Sequence, residues 1–223
     1  MKTNRISIAY ADYYRLNRQS ICTYLTEIGN IGVTAQADTG DQLINKLKHA
    51  EELPQICVIE INIPNKNGYE TVKEIKRLWP DMKILILTEL DSEFAVVQML
   101  KIGINAYILK TCAIEELVKA LGEIHTRGFY DTEISMKYMR KAFSSGKATG
   151  RLFISDKEMQ FLFYCCYDYH YKEIAQKMSV STRTVEGYRN GLFEKLNINS
   201  RVGLVMMAVK MGIAPFYDHS SIR

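Results

Sequence analysis

The run Lys83-Ile84-Leu85-Ile86-Leu87 is apolar on both of the faces that a strand would present. Successive side chains of a strand point to opposite sides, so a strand of this kind has to be covered above and below. That requirement places it inside a parallel sheet with helices on both faces. Comparable short apolar runs occur at residues 6–10, 32–37, 55–61 and 105–109. The segments between them carry helical spacing instead, as in Ile114, Leu117, Val118, Leu121 and Ile124, or Ile21, Leu25 and Ile28. Five strand–helix repeats in about 125 residues predict an α/β domain, a doubly wound sheet of five parallel strands. Such domains carry their sites at the carboxyl ends of the strands. The residues there are Asp12 and Tyr13 after the first strand, Glu60 at the close of the third, Thr88 at the fourth and Lys110 after the fifth.

Residues 131–143 predict one more helix. The stretch Ser144-Ser145-Gly146-Lys147-Ala148-Thr149-Gly150 that follows is small, polar and without an apolar anchor, which is linker composition. The expected division is a domain over residues 1–128, a linker helix and flexible linker over 129–150, and a second domain over 151–223. In that second domain the strand signals vanish. Ser155-Asp156-Lys157-Glu158 has the form of a capping box, and a helix carrying Met159, Leu162, Phe163 and Cys166 follows. A short helix over 171–178, the turn Ser179-Val180 and a second N-cap at Ser181 lead into a helix with Val185, Leu192 and Leu196 inward. A last helix over 200–211 would bury Leu204, Val205, Ala208 and Val209. Four short helices in about 60 residues, with a tight turn between the second and third, suit an all-α helix-turn-helix domain.

Composition narrows the function. Apolar residues make up 47% of the chain and charged residues 24%, which predicts a packed core. Residues 150–223 hold ten Lys and Arg against seven Asp and Glu, an excess of three within a net charge of +4. That is mild support for a polyanionic partner. No run of about 18 apolar residues occurs and the start of the chain lacks signal-peptide features, so no membrane contact and a cytoplasmic location are expected. Five cysteines without CxxC spacing are expected to be reduced thiols, with no metal site. There is no Gly-rich phosphate loop and no nucleophile elbow, so neither an enzyme nor a cofactor is expected.

Taken in order, several motifs resemble the LuxR-type helix-turn-helix. They are Ser155-Asp156-Lys157-Glu158, Tyr171-Lys172-Glu173-Ile174-Ala175, the run Ser181-Thr182-Arg183-Thr184-Val185-Glu186-Gly187-Tyr188-Arg189, and Lys195-Leu196-Asn197-Ile198-Asn199-Ser200-Arg201. The resemblance implies double-stranded DNA as partner, with the second helix of the motif in the major groove. Arg183, Glu186, Gly187, Arg189, Asn190 and Glu194 lie outward on that helix. Arg can read guanine, Asn adenine, and Glu can accept from cytosine. Gly187 would let the backbone approach the groove, at a helix cost of about 1 kcal/mol. Lys172, Thr182, Thr184, Tyr188, Lys195 and Arg201 are the expected phosphate contacts, by charge or hydroxyl. Ser179 stands where the family commonly has Gly, and Tyr188 where it commonly has His, so an operator sequence cannot be borrowed from relatives.

In the first domain, Asn62-Ile63-Pro64 with Asn67-Gly68, then Thr88, then Gly103-Ile104-Asn105-Ala106-Tyr107-Ile108-Leu109-Lys110, resemble a response-regulator receiver domain, a flavodoxin-like fold. With the helical module behind it, the chain is similar to the NarL/FixJ subfamily. The resemblance implies a pocket with two acids for Mg²⁺, a phosphorylated Asp, and a Thr or Ser and a Lys that hold the phosphoryl group. Asp12, Thr88 and Lys110 match, while Tyr13 stands at the second acid and Glu60 at the phosphorylated Asp. Mg²⁺ demands octahedral oxygens near about 2.0–2.1 Å, which a phenol serves poorly. The extra methylene of Glu60 misplaces a nucleophile, where an error of about 1 Å costs about 100-fold. A degenerate receiver acting without phosphorylation is therefore expected.

Two readings of Glu60 stand side by side. Its carboxylate could pair with Lys110, hydrogen-bond Thr88 and mimic the phosphorylated state through Thr88 and Tyr107, the pair with which the family transmits its signal. Alternatively Glu60 and Lys110 form a structural ion pair in a dimerisation scaffold. A homodimer is expected, because one helix in one half-site buries little surface, with residues 114–124 or 89–107 as candidate faces. Three further possibilities stay open: a conventional phosphoswitch using Asp12, an adaptor that does not bind DNA, and an unknown protein or ligand input at the receiver.

Overall fold

The computed structural model describes residues 5–144 and 154–214, and the expected flexible linker at 144–150 lies outside them except for Ser144, which closes a helix. Contacts divide the chain into two compact units, Met1–Tyr138 and Met139–Arg223. In the first, the five apolar runs form β1 (Ile6–Ala11), β2 (Ile31–Ala37), β3 (Ile56–Ile59), β4 (Lys83–Thr88) and β5 (Ala106–Leu109). They alternate with α1 (Arg15–Glu27), α2 (Gly40–Lys48), α3 (Gly68–Leu78), α4 (Glu93–Ile102) and α5 (Ile114–Arg127). All strand pairs are parallel, in the order β2-β1-β3-β4-β5.

That order reverses direction at β1, and right-handed crossovers then put α1 and α5 on one face and α2, α3 and α4 on the other. On the first face Ile8, Tyr10, Val58, Leu85 and Ile108 pack with Cys22 and Leu25 of α1 and Leu117, Leu121 and Ile124 of α5. The alternate residues Ala9, Cys57, Ile59, Ile84 and Ile86 are equally buried. Both-sided burial is what the doubly apolar runs demanded. The face of α1 differs from its expected stripe. Arg18, Cys22 and Leu25 are buried, while Ile28 is exposed because the helix has ended and the chain turns through Gly29 at φ +85°.

The first unit runs past the expected limit at 128. The Tyr130 N–H donates to the Asn105 carbonyl at 2.9 Å, and the Thr132 hydroxyl donates to the Tyr107 carbonyl at 2.8 Å. Tyr138, in α6 (Glu133–Ser144), donates to Asp91 Oδ1 at 2.7 Å. The opening of that helix is thus tied to the sheet edge.

The second unit contains α7 (Asp156–Cys165), α8 (Tyr171–Lys177), α9 (Thr182–Leu196) and α10 (Arg201–Lys210) among its described residues. Its core is made by Phe161, Leu162, Ile174, Val185, Leu192, Leu204 and Ala208, all fully buried. The inner side of α7 is Glu158, Phe161, Leu162 and Cys165, displaced by one residue from the expected Met159, Phe163 and Cys166, which are half-buried. Among the described residues no helix is long and apolar enough to cross a membrane.

Register places the functional ends. Ala11 pairs with Ile59, Ile59 with Ile86, and Thr88 with Leu109, so Asp12, Glu60, Thr88 and Lys110 emerge at one edge of the sheet. Gly68 closes the loop that carries Glu60 into α3, its N–H donating to the Ile61 carbonyl at 2.9 Å. A Cβ there would lie 2.6 Å from Ile61 Cα and 3.0 Å from the Glu60 carbonyl oxygen, both backbone atoms. Gly68→Ala should therefore cost about 1–3 kcal/mol in urea denaturation, as overpacking does. Gly122→Ala, in mid-α5 with nothing within 4 Å, should instead stabilise. A Gly68→Ala protein as stable as its parent would contradict this packing.

Candidate functional site

Asp12 and Thr88 are fully buried and Glu60 is 4% exposed. Lys110 Nζ lies 2.8 Å from Asp12 Oδ2 and 2.7 Å from Glu60 Oε2, so one ammonium bridges the two acids. The other Glu60 oxygen, Oε1, accepts from the Thr88 hydroxyl at 2.5 Å and from the Asn62 N–H at 3.0 Å. Asp12 is satisfied in the same way, with the Tyr10 hydroxyl donating to Oδ2 and the Tyr14 N–H to Oδ1, each at 2.9 Å. Burial pushes the Lys110 ammonium down, but Glu60 and Asp12 outweigh it and hold the group above the usual lysine value. Lys110 is therefore a standing cation. Burial, and then the charge of Asp12, push the Tyr10 phenol up, which keeps it a hydrogen-bond donor.

A hydrogen-bonded path leaves the pocket through Thr88. Its hydroxyl accepts from the Leu90 N–H at 3.3 Å, and the Leu90 carbonyl accepts from the Tyr107 hydroxyl at 2.6 Å. Tyr107 is fully buried. Tyr13 stays outside the set, 38% exposed, with its ring edge-on to that of Tyr14.

The pocket does not fit Mg²⁺. An octahedral ion needs several oxygens turned to one point. Here only two carboxylates are present, both paired with Lys110, and an exposed phenol, Tyr13, stands where the resemblance puts the second metal-binding acid. Among the described residues no three His, Cys, Asp or Glu side chains converge on a metal position.

Three residues of this pocket escaped sequence reasoning. Tyr10 sits two positions before Asp12, and strand alternation puts both on one side. Asn62 lends its N–H to Glu60, which only the loop conformation reveals. Arg18 is 7% exposed, donates to the Asp12 carbonyl and pairs with Asp38, so it fixes the loop that carries Asp12.

In the second unit, Ser181 caps α9 by accepting from the Thr184 N–H at 3.1 Å. Ser179 closes the preceding turn at φ +54°, a left-handed conformation that costs a residue with Cβ about 1–2 kcal/mol. Thr182, Arg183, Thr184, Glu186, Gly187, Asn190 and Glu194 are exposed along α9, and Lys172 is exposed on α8. Val185 and Leu192 face inward, and Leu196 is half-buried. Tyr188 is half-buried with its ring 6.4 Å from that of Phe161. The Arg189 guanidinium lies over Tyr171 at 5.5 Å and donates to Asn190 Oδ1 at 3.1 Å.

Two of the expected phosphate contacts have work inside the module. Lys195 Nζ lies 2.7 Å from Glu158 Oε1 and 2.8 Å from Oε2, because the last turn of α9 sits against the inner side of α7. Arg201 donates to the carbonyls of Tyr167 and Tyr169, each at 2.6 Å, and to that of Cys165 at 3.4 Å. It thereby closes the carboxyl end of α7 and the loop that follows.

Residues 8–122 match the family of the response regulator receiver domain, and residues 153–208 match the bacterial regulatory proteins of the luxR family. The chain is 27% identical over 211 residues to the response regulator GacA of Pseudomonas aeruginosa, covering 93% of this chain and 97% of that one. It is 28% identical over 220 residues to the oxygen regulatory protein NreC of Staphylococcus epidermidis, covering 95% and 100%. It is also similar in fold to RcsB from Salmonella enterica serovar Typhimurium, solved bound to promoter rprA in the presence of phosphomimetic BeF3-. The TM-score is 0.70 at 23% identity, over 91% of this chain and 98% of that one.

The Glu158 contact makes a measurable prediction. Burial pushes its carboxyl up, yet the Lys195 ammonium and the Ser155 N–H and hydroxyl outweigh it, and the group ends below the usual carboxylate range. A carboxyl more acidic in the folded state binds fewer protons there. Its stabilisation is therefore present above the ordinary range and is lost as pH falls through the lowered folded value. Lys195→Ala should cost about 1–3 kcal/mol at neutral pH by leaving the buried Glu158 carboxylate without its cation. Thermal melts should show a shallower acid dependence in Glu158→Gln than in the parent. Parallel acid profiles would contradict the assignment.

Proposed function

Because the chain belongs to the response-regulator receiver family and carries a luxR-family module behind the receiver, we propose that it is a DNA-binding transcription regulator whose receiver holds one state without phosphorylation. The observation that supports this most is the seat of the Glu60 carboxylate. One oxygen rests on Lys110 and the other on Thr88 and the Asn62 N–H. The family assigns the Lys and the Thr to phosphoryl oxygens, so Glu60 is a built-in anion where that group would lie. It draws the Thr88 hydroxyl into the pocket, and the path through Leu90 ends on the buried Tyr107. Phosphoryl transfer is disfavoured for the same reason. The carboxylate is fully engaged and is displaced by one methylene from the family's nucleophile, and Tyr13 stands where the family has its second metal-binding acid. The protein acts as a binding switch element and not as an enzyme.

DNA recognition is assigned to the amino-terminal half of α9. Arg183, Glu186, Gly187 and Asn190 face base edges, with Thr182, Thr184 and Lys172 on phosphates. Tyr188 and Arg189 flank them, half-buried. Lys195 and Arg201 hold the frame that presents the helix. The Salmonella RcsB structure was obtained on a promoter with a phosphomimetic, which supports the same use of the fold here, with Glu60 in the mimic's role. The protein works as a homodimer, so that paired half-sites supply the specificity one helix lacks. Its location is the cytoplasm, with the DNA.

Fluorescence anisotropy on duplex DNA tests this reading. The untreated full chain should bind, and its affinity should fall with salt as counterions are released. Arg183→Ala should lose about 1–3 kcal/mol and relax specificity at one base position. Glu60→Gln removes one of the two charges that Lys110 pairs with, and should weaken both dimer and DNA binding by about fivefold or more. A Glu60→Gln protein that dimerises and binds like its parent would reduce Glu60 and Lys110 to a structural ion pair.

A further inference from the structure

Gly187 lies in mid-α9 and is exposed. A Cβ built on it meets nothing within 4 Å. Its φ is not positive, unlike those of Gly29, Gly103, Gly128 and Gly212. The folded chain therefore has no steric or conformational need for glycine at this position. The other glycine of the helix differs, because Gly191 is half-buried and a Cβ there would rest 3.6 Å from Glu158 Oε1. Glycine is the weakest helix former after proline, so Gly187 loosens the helix with no gain in packing.

Its place on the helix explains it better. Arg183, Gly187, Asn190 and Glu194 recur at i, i+4, i+7 and i+11 and so share one face, with Glu186 beside them. Polar side chains line that stripe except at Gly187, where the surface is bare backbone. The neighbouring Arg189 does not fill the gap, since its guanidinium is turned over Tyr171 and bonded to Asn190. The exposed face thus has a notch one side chain deep between Arg183 and Asn190. Helix side chains normally hold the backbone away from base edges in the major groove. A notch removes that spacer at one point and lets one base-pair edge come up to the backbone.

We infer that Gly187 is a specificity-determining position, whose missing side chain seats one base-pair edge against α9 and sets how deeply the helix enters the groove. This rests on the DNA-binding reading above. A methyl group at the notch fills the contact in the complex while leaving the free protein undisturbed.

The test is selection from a randomised duplex library by the full-length parent, Gly187→Ala and Gly187→Val, followed by affinity measurement on the parent's selected sequence and on unrelated DNA. The parent should enrich a defined sequence. Both variants should bind it about tenfold or more weakly, keep unrelated DNA within about twofold, and enrich different bases at the position under residue 187. Gly187→Ala should also melt at a higher temperature than the parent, so that lost affinity cannot be lost folding. If the variants enrich the parent's sequence and bind it equally, the inference is overturned while DNA binding stands. If the parent enriches no sequence, both the inference and the reading beneath it fall.

Discussion

The ammonium of Lys110, held between Asp12 and Glu60, is the contact on which the chemistry of the first unit depends. Two carboxylates buried at adjacent strand ends repel each other and lose their hydration, a cost of several kcal/mol per ion unless a cation meets them. Lys110 meets both at hydrogen-bond distance. It joins the ends of β1, β3 and β5 and fixes which oxygen of Glu60 is left for Thr88. One residue therefore pairs both acids, closes the pocket and orients the Glu60 carboxylate. Tyr10 and Arg18 support the arrangement from behind by holding the Asp12 side chain and its backbone.

The second unit uses the same device on a smaller scale. Glu158 closes its own capping box through Ser155 and is then neutralised by Lys195 from the far end of α9. Arg201 satisfies three carbonyls around the end of α7. Two of the module's cations are thus committed to the frame, while Lys172, Lys177 and Arg183 are exposed on α8 and the start of α9. With Glu186 and Glu194 on the same face, charge alone gives a modest hold on a polyanion. Close fit in the groove then matters more, and that gives the bare surface at Gly187 its weight.

Much of this was legible in the sequence. A strand that is apolar on both faces has only one kind of home, and the rule that α/β sites lie at strand carboxyl ends led directly to Asp12, Glu60, Thr88 and Lys110. The caps at Ser155 and Ser181 were readable because their partners are three residues away. What the sequence hid was of two kinds. Helix faces departed from the expected stripes, because Ile28 falls past the end of α1, and along α7 Glu158, Phe161 and Cys165 turn inward where Met159, Phe163 and Cys166 were expected. Contacts across long separations were also hidden. Lys195 and Arg201 look like any exposed cations of a basic helix, and nothing local announces that Glu158 or the Tyr167 carbonyl waits for them. Arg18 gave a fainter signal, a lone cation on the inner side of α1 beside Cys22 and Leu25.

Glu60 with Lys110 is proposed to stand in the receiver pocket in place of metal and phosphate. The most direct test is a gel shift of the untreated full chain on the DNA upstream of its own coding sequence, with and without Mg²⁺ plus beryllofluoride. The same tight binding is expected in both. Binding that arises only with the additive would contradict this, because the pocket would then open to a metal and a phosphoryl mimic.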